Sequence, residues 1–237
     1  LGHEDPTMIR FLMNFVEAHP EEFPFKTVEE IPLSDKKVLS IFSGVSSLGV
    51  DKTQVLQSVG TTGIPEFGTQ LSKEMLMEIN PQTVDDLIKI SGLSHGTDVW
   101  NGNARDYMLG KKPGVPPIPF KDLIGCRDDI MVYLIQKGLK ASDAFEIMER
   151  VRKGKGLTPE QEKKMLEHDV PKWYIDSCKL IKYMFPKAHA TAYVIMALRI
   201  AWFKVYKPLY YYSAFFSRRA EAFDVVVMAS GYEAIKA

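Results

Sequence analysis

Lys187, His189 and Tyr193 are the residues whose types and spacing best suit chemistry on an anion. They lie in the stretch Lys182 to Arg199. Pro186 is expected to open a helix there, because a proline at the first helical position forfeits no hydrogen bond. Ala188, Ala190, Ala192, Met196, Ala197 and Leu198 favour its continuation. Lys187 and His189 then fall in the first turn, where free N–H groups and the positive end of the helix dipole already gather. Two further basic groups are unfavourable there in an isolated helix. They make sense if an anion, most simply a phosphate, is held at that end. Tyr193 follows His189 by one turn, on the same face and deeper. Ordinary roles stand beside this one: a solvated lysine and a packed His–Tyr pair.

The elements that must position these residues read as helices. Hydrophobic residues make up 46% of the 237, enough for a real core in one large domain or two small ones. Formal net charge is zero, which argues against a protein coated in nucleic acid but permits a local basic surface. Two cysteines, Cys126 and Cys178, make no disulfide framework and fit a reducing cytoplasm. Neither has the neighbours of a zinc site, and the five histidines are scattered, so no metal ligands are assigned. No apolar run is long enough to cross a bilayer, and no signal peptide is evident. The chain begins at Leu1, which suggests a fragment or a processed product.

Taken in order, Asp5 and Pro6 open a first helix with Met8, Ile9, Leu12 and Val16 on its apolar face. A proline-broken acidic connector follows from His19 to Pro32. Ser34 is expected to cap a short helix carrying Val38 and Ile41. A further helix is expected from about Phe67 to Ile79, stopped by Asn80-Pro81. Thr83 and Asp86 form a capping-box pair opening another, which Gly92 should end. Ser94 to Trp100 then reads as a polar, irregular loop.

Asp128 and Asp129 begin a strong helix ending at Gly138; acidic residues in a first turn suit the helix dipole better than a metal. Arg127, at its entrance, matches a phosphate bidentately. Ser142 should cap a helix running into Arg150, Arg152, Lys153 and Lys155, cations alternating with Gly154 and Gly156. That pattern suits either a solvated helix end or a phosphate backbone, and it lacks the spacing of a Walker A loop. Thr158 to Gln161 is a capping box. Tyr210 to Phe216 reads as core aromatics, and Val225-Val226-Val227 as a short strand or a fraying end. No run of alternating strands is present, so the expected fold is mainly α, with many short helices and long loops.

Phe185-Pro186-Lys187-Ala188-His189-Ala190-Thr191-Ala192-Tyr193 resembles the Lys-x-His-x-x-x-Tyr signature in the fingers of bacterial C-family replicative DNA polymerases. Gly63 to Thr69, Ser91 to Trp100, Gly125 to Met131, Arg152 to Pro159 and Tyr183 to Ala190 together resemble the PolC-type DNA polymerase III alpha subunits of low-GC Gram-positive bacteria. The resemblance runs from Gly2 to about Asp224. The Gly110 to Phe120 loop looks longer than the family's, and Val225 to Ala237 matches only loosely.

The resemblance implies a fingers domain at 34–224, entered through a connecting helix and linker at 1–33 from a palm, with 225–237 starting the next region. The palm, upstream and outside this chain, would carry the carboxylates that bind magnesium, so the piece alone is expected to be inactive. The implied activity is template-directed DNA synthesis in the cytoplasm. Arg127, Lys187 and His189 would meet the incoming dNTP triphosphate. Ser94, His95 and Gly96 would line the nucleotide pocket, backed by Tyr193. Arg150, Arg152, Lys153 and Lys155 would contact primer–template DNA. Other partners would be the remaining polymerase domains, and the sliding clamp and replisome through regions elsewhere; no membrane is implied. The rival reading is a non-catalytic helical nucleic-acid-binding module that uses the 150–155 loop alone.

Overall fold

A computed structural model of the chain describes residues 4–50, 53, 55, 57–219 and 224–236. Among the described residues the backbone forms thirteen α-helices and no strand, so the expected mainly α fold is the one observed. They are α1 (Glu4–Ala18), α2 (Lys36–Ser40), α3 (Gln70–Ile79), α4 (Val84–His95), α5 (Arg105–Met108), α6 (Arg127–Gln136), α7 (Ala141–Arg152), α8 (Pro159–Glu167), α9 (Lys172–Leu180), α10 (Lys187–Tyr206), α11 (Pro208–Arg218), α12 (Val225–Ala229) and α13 (Tyr232–Lys236). Among the described residues no helix is long and apolar enough to cross a membrane.

The axle is α10, whose 20 residues span about 30 Å at 1.5 Å per residue. From Ala197 to Val205 only Arg199 is not buried, and a helix apolar on all sides must be enclosed. Helices α1, α2, α4, α6 and α11 do the enclosing. Phe25 packs edge-on against Trp202, and Phe15 sits 5.0 Å from Tyr210, so the segment before α2 is tied to both α10 and α11. Lys204 sits inside this core, where its Nζ donates to the carbonyls of Gly60 (2.8 Å) and Thr62 (2.6 Å). Burial, reinforced by Lys73, depresses its pKa to about 8. The opposite end of α10 is wetter: Lys187, Ala188 and Ala192 are exposed. One helix thus carries a buried root in the core and an exposed tip at the surface.

Several expected boundaries shift, each for a local reason. Pro186 is the N-cap of α10, not its first residue, with an extended ψ of 145°. Asp35 rather than Ser34 caps α2, accepting from Val38 N–H at 2.9 Å. Thr69 caps α3, which starts later than Phe67. Lys140, not Ser142, precedes the first residue of α7. The expected end of α4 at Gly92 is wrong: the helix continues to His95. Gly92 serves packing instead, since a Cβ there would lie 2.7 Å from the Gly125 carbonyl oxygen and against Cys126 Sγ. Val225 to Val227 form neither a strand nor a frayed end. They begin α12, because Asp224 accepts from the Val226 and Val227 N–H groups.

Candidate functional site

Four residues between α9 and α10, Lys182 to Phe185, act as a strap on which several elements converge. The Lys182 and Tyr183 N–H groups donate to the Thr97 carbonyl (3.1 and 3.3 Å), and Thr97 N–H donates back to the Tyr183 carbonyl (2.9 Å). Met184 N–H donates to the Arg152 carbonyl (3.2 Å), and Arg127 N–H to the Phe185 carbonyl (3.1 Å). Ile181 and Met184 anchor the strap in the core. The end of α4, the start of α6, the end of α7 and the start of α10 are therefore held to one strip of backbone. Those four ends carry Ser94, His95, Gly96, Arg127, Arg152, Lys187 and His189.

The irregular loop from Ser94 to Trp100 is only half a loop, since Ser94 and His95 form the last turn of α4. The chain beyond His95 is pinned by buried groups. Trp100 is buried, and the Asn103 amide donates to the carbonyls of Asp98 (3.0 Å) and Ser177 (3.1 Å). Ser177 Oγ donates to Asn103 Oδ1 at 2.6 Å, which leaves no atom of that buried amide idle.

The His95 ring is held at both nitrogens. Nδ1 lies 2.7 Å from the Ser91 carbonyl and Nε2 2.7 Å from Glu66 Oε2. A carboxylate only accepts, so Nε2 carries a proton, while Nδ1 also lies 3.0 Å from the Ser94 hydroxyl. The Glu66 hydrogen bond is the main force raising the His95 pKa; burial opposes it, and the Glu66 charge and the Ser91 carbonyl add to it. With its folded pKa raised, this pair contributes stability in full below the unfolded value of about 6.5, and loses it as pH rises through the folded pKa. Equilibrium unfolding between pH 6 and pH 9 should therefore show the advantage of wild type over His95→Gln shrinking as pH rises. A difference constant over that range would contradict the raised His95 pKa.

At the tip of α10 a carboxylate of the protein accepts from the first turn. Lys187 N–H donates to Asp128 Oδ2 at 2.6 Å, so Asp128 reaches from the first turn of α6 to the first turn of α10. The other cations also have carboxylates nearby. Lys187 Nζ lies 3.6 Å from Asp85, and Arg127 lies 3.9 Å from Asp128 and 4.0 Å from Glu149. Arg127 Nε is buried without a hydrogen-bond partner.

Glu149, which sequence reasoning misses, is a hub. It takes Arg152 through both carboxylate oxygens, Nη2 at 2.8 Å, and Lys153 Nζ at 2.8 Å. Those hydrogen bonds, Arg152 first, hold its pKa down at about 2. The signal is present in its spacing, three and four residues before two cations on one helix. Arg150 Nη2 donates to the Lys155 carbonyl at 3.2 Å. Arg150 and Arg152 thus lie in the last turn of α7 and Lys153 caps it; Lys155 is exposed and has no ion pair among the described residues.

Aromatic rings join these parts. Phe185 lies 5.5 Å from His95, 5.4 Å from Tyr183 and 4.8 Å from His189, and His189 lies 4.5 Å from Tyr193. His189 and Tyr193 are each half-buried, Tyr193 one turn behind. The whole is a shelf of rings bordered by Arg127, Arg152 and Lys187, chemistry suited to a flat base joined to a polyanion.

The sequence matches the family model for the bacterial DNA polymerase III alpha subunit finger domain over residues 5–172. The chain belongs to that finger-domain family. Over 237 residues it is 53% identical to the PolC-type DNA polymerase III of Bacillus subtilis (strain 168) and 54% identical to that of Halalkalibacterium halodurans. It is 52% identical over 236 residues to the PolC-type DNA polymerase III of Staphylococcus aureus (strain MW2). Each comparison covers 100% of this chain and 16% of the relative, so the chain spans about one sixth of the length of these relatives. The family match stops before α10, whereas the relatives cover the α10 tip as well.

The acidic groups of this finger domain do not fit a magnesium site beside the shelf. Asp129 accepts from the Gly125 and Cys126 N–H groups, Asp128 from Lys187 N–H, and Glu149 from Arg152 and Lys153. Elsewhere, His19, Glu21 and Glu22 are the one group among the described residues close enough to share a cation. They are exposed, and Glu22 is engaged by Lys207 and Tyr210.

Proposed function

We propose that this finger domain works in template-directed DNA synthesis, holding the triphosphate of the incoming deoxynucleotide at the tip of α10. The observation that carries the reading is the strap, which gathers Arg127, Lys187 and His189 around one helix N-terminus. Lys187 supplies a point charge and Arg127 a planar fork, groups suited to phosphate oxygens that gain charge as pyrophosphate leaves. His189, in the first turn, donates to the same anion. Bound phosphate takes over the Lys187 N–H from Asp128, so nucleotide binding carries a local exchange of one anion for another.

Tyr193 backs His189. Gly96 and Ser94 line the nucleotide's flank; His95, held at both ring nitrogens, fixes the shape of that wall. Arg150, Arg152, Lys153 and Lys155 face the primer–template backbone, with Lys155 making the freest contact. Magnesium, held by palm carboxylates outside this chain, neutralises charge on the phosphates. The remaining polymerase domains, the sliding clamp and the replisome are partners through other regions, in the cytoplasm.

The test is single-turnover nucleotide incorporation by the polymerase carrying Lys187→Ala, with DNA affinity measured on the same protein. Weakened nucleotide binding or a slowed incorporation step at unchanged DNA affinity supports the reading. Normal incorporation at saturating DNA, with DNA affinity lowered, overturns it.

A further inference from the structure

Beside the α10 tip, lined in part by Asp128 and Lys187, lies a cavity of about 580 Å³. That size falls within the range of about 300–1,000 Å³ typical of small-ligand sites. Its walls include Tyr133, Trp173 and Tyr174, and Lys121, Lys137 and Lys187 border it. Tyr133 stacks on Tyr174 with centroids 4.3 Å apart and planes 20° from parallel, and Trp173 meets Tyr174 edge-on at 5.5 Å. Trp173 and Tyr133 are half-buried, so both keep surface open. Tyr174 is 2% exposed, and its hydroxyl is buried with no hydrogen-bond partner.

Three carboxylates also border the space. Asp129 is committed to the Gly125 and Cys126 N–H groups and Asp128 to the Lys187 N–H until a nucleotide takes that donor, while Asp122, exposed, has no such bond. Lys121 is exposed, and Lys137 Nζ sits 5.8 Å from the Tyr133 ring centroid. Aromatic faces ringed by lysines are the recognition chemistry of single-stranded nucleic acid, in which each base offers a stacking face and each phosphate a charge. A duplex keeps its base faces inside and has none to offer such a wall.

We propose that this cavity receives one unpaired nucleotide of the template strand. Its base packs on Trp173 and Tyr133, and its phosphate meets Lys121 and Lys137. The assignment of the nucleic acid rests on the polymerase reading of the α10 tip; the stacking pocket itself rests on the cavity.

The experiment uses the polymerase carrying this chain and a primer–template whose overhang bears 2-aminopurine at successive unpaired positions. Binding should quench the probe strongly at one position, and Trp173→Ala should abolish that quench. The same variant should weaken the overhang's contribution to affinity about 10-fold while blunt duplex binds unchanged. Lys121→Ala, an exposed change that leaves the fold alone, should reduce the slope of log affinity against log salt by about 0.7, and only for templates with an overhang.

Overhang affinity and salt slope unchanged in both variants overturn the proposal. A probe supplied as free 2-aminopurine deoxyribonucleoside monophosphate and quenched as strongly without DNA would assign the pocket to a free nucleotide and overturn it too. Lys187→Ala separates the two readings. Unaltered nucleotide incorporation in that variant sinks the triphosphate site, while position-specific quenching lost in Trp173→Ala still supports the pocket.

Discussion

Lys187→Ala should lower the specificity constant for nucleotide incorporation about 100-fold, the order of loss when one preorganised group facing developing phosphate charge is removed. Folding should barely change. Among the described residues the Lys187 ammonium is paired only with Asp85, at 3.6 Å, and both side chains are well exposed. Such surface pairs are worth about 0–1 kcal/mol. Alanine is also the better helix former, and it keeps the backbone N–H that Asp128 accepts from. The kinetic loss is therefore not a disguised loss of structure. Lys187→Arg should recover part of the rate, because charge returns while the geometry of a point donor does not. Lys153→Ala is the matched control: it removes a nearby cation that Glu149 already holds, and incorporation should fall by much less.

Elements are legible in the sequence wherever both partners in an interaction lie within one turn. The capping boxes at Thr83–Asp86 and Thr158–Gln161 form as the spacing implies, because each is closed by residues three apart. The long apolar helix at the motif also forms, despite Arg199 and Lys204 in its sequence. The pattern could not reveal how a lysine survives there: Lys204 is accommodated by carbonyls of Gly60 and Thr62, far away in the chain. Gly92 misleads for the same reason. Locally a glycine near a helix end favours termination, but contact with the Gly125–Cys126 backbone turn decides the matter. Val225 to Val227 mislead through propensity, which a single aspartate cap outweighs.

The candidate site is legible as a set of residue types and illegible as an arrangement. Arg127, Lys187 and His189 stand out because cations at helix entrances need a reason. Their grouping depends on backbone bonds from the strap to Thr97, Arg152 and Arg127, which no local pattern encodes. The carboxylates that hold the cations are invisible in the same way. Glu66 reaches His95 and Asp128 reaches Lys187 only after the chain has folded. Glu149 is the exception, since its helical spacing to Arg152 and Lys153 can be read directly.

Gly154→Ala should be the most damaging small substitution at the strap. Gly154 follows α7 with φ at +68°, and a Cβ there would lie 2.5 Å from the Lys182 carbonyl oxygen and 3.0 Å from its Cα. The left-handed backbone alone costs a non-glycine residue about 1–2 kcal/mol. Forcing apart well-packed atoms adds about 1–3 kcal/mol, and these are backbone atoms that cannot rotate away. For a domain of this size, a loss of about 3 kcal/mol lowers the thermal midpoint by on the order of 10 °C.

Gly156→Ala supplies the internal control, because Gly156 has φ at +62° but open space where the Cβ would go. It should show the backbone cost alone. The excess destabilisation of Gly154→Ala over Gly156→Ala then measures the contact with the strap. If the strap positions the triphosphate groups, that excess must appear in catalysis as well: moving Lys182 disturbs the Met184–Arg152 and Phe185–Arg127 hydrogen bonds. Incorporation by Gly154→Ala, assayed well below its own midpoint, should then be slower than by Gly156→Ala. Equal melting points for the two variants would mean that the strap yields freely, and a strap that yields cannot hold Arg127 and Lys187 at a fixed separation.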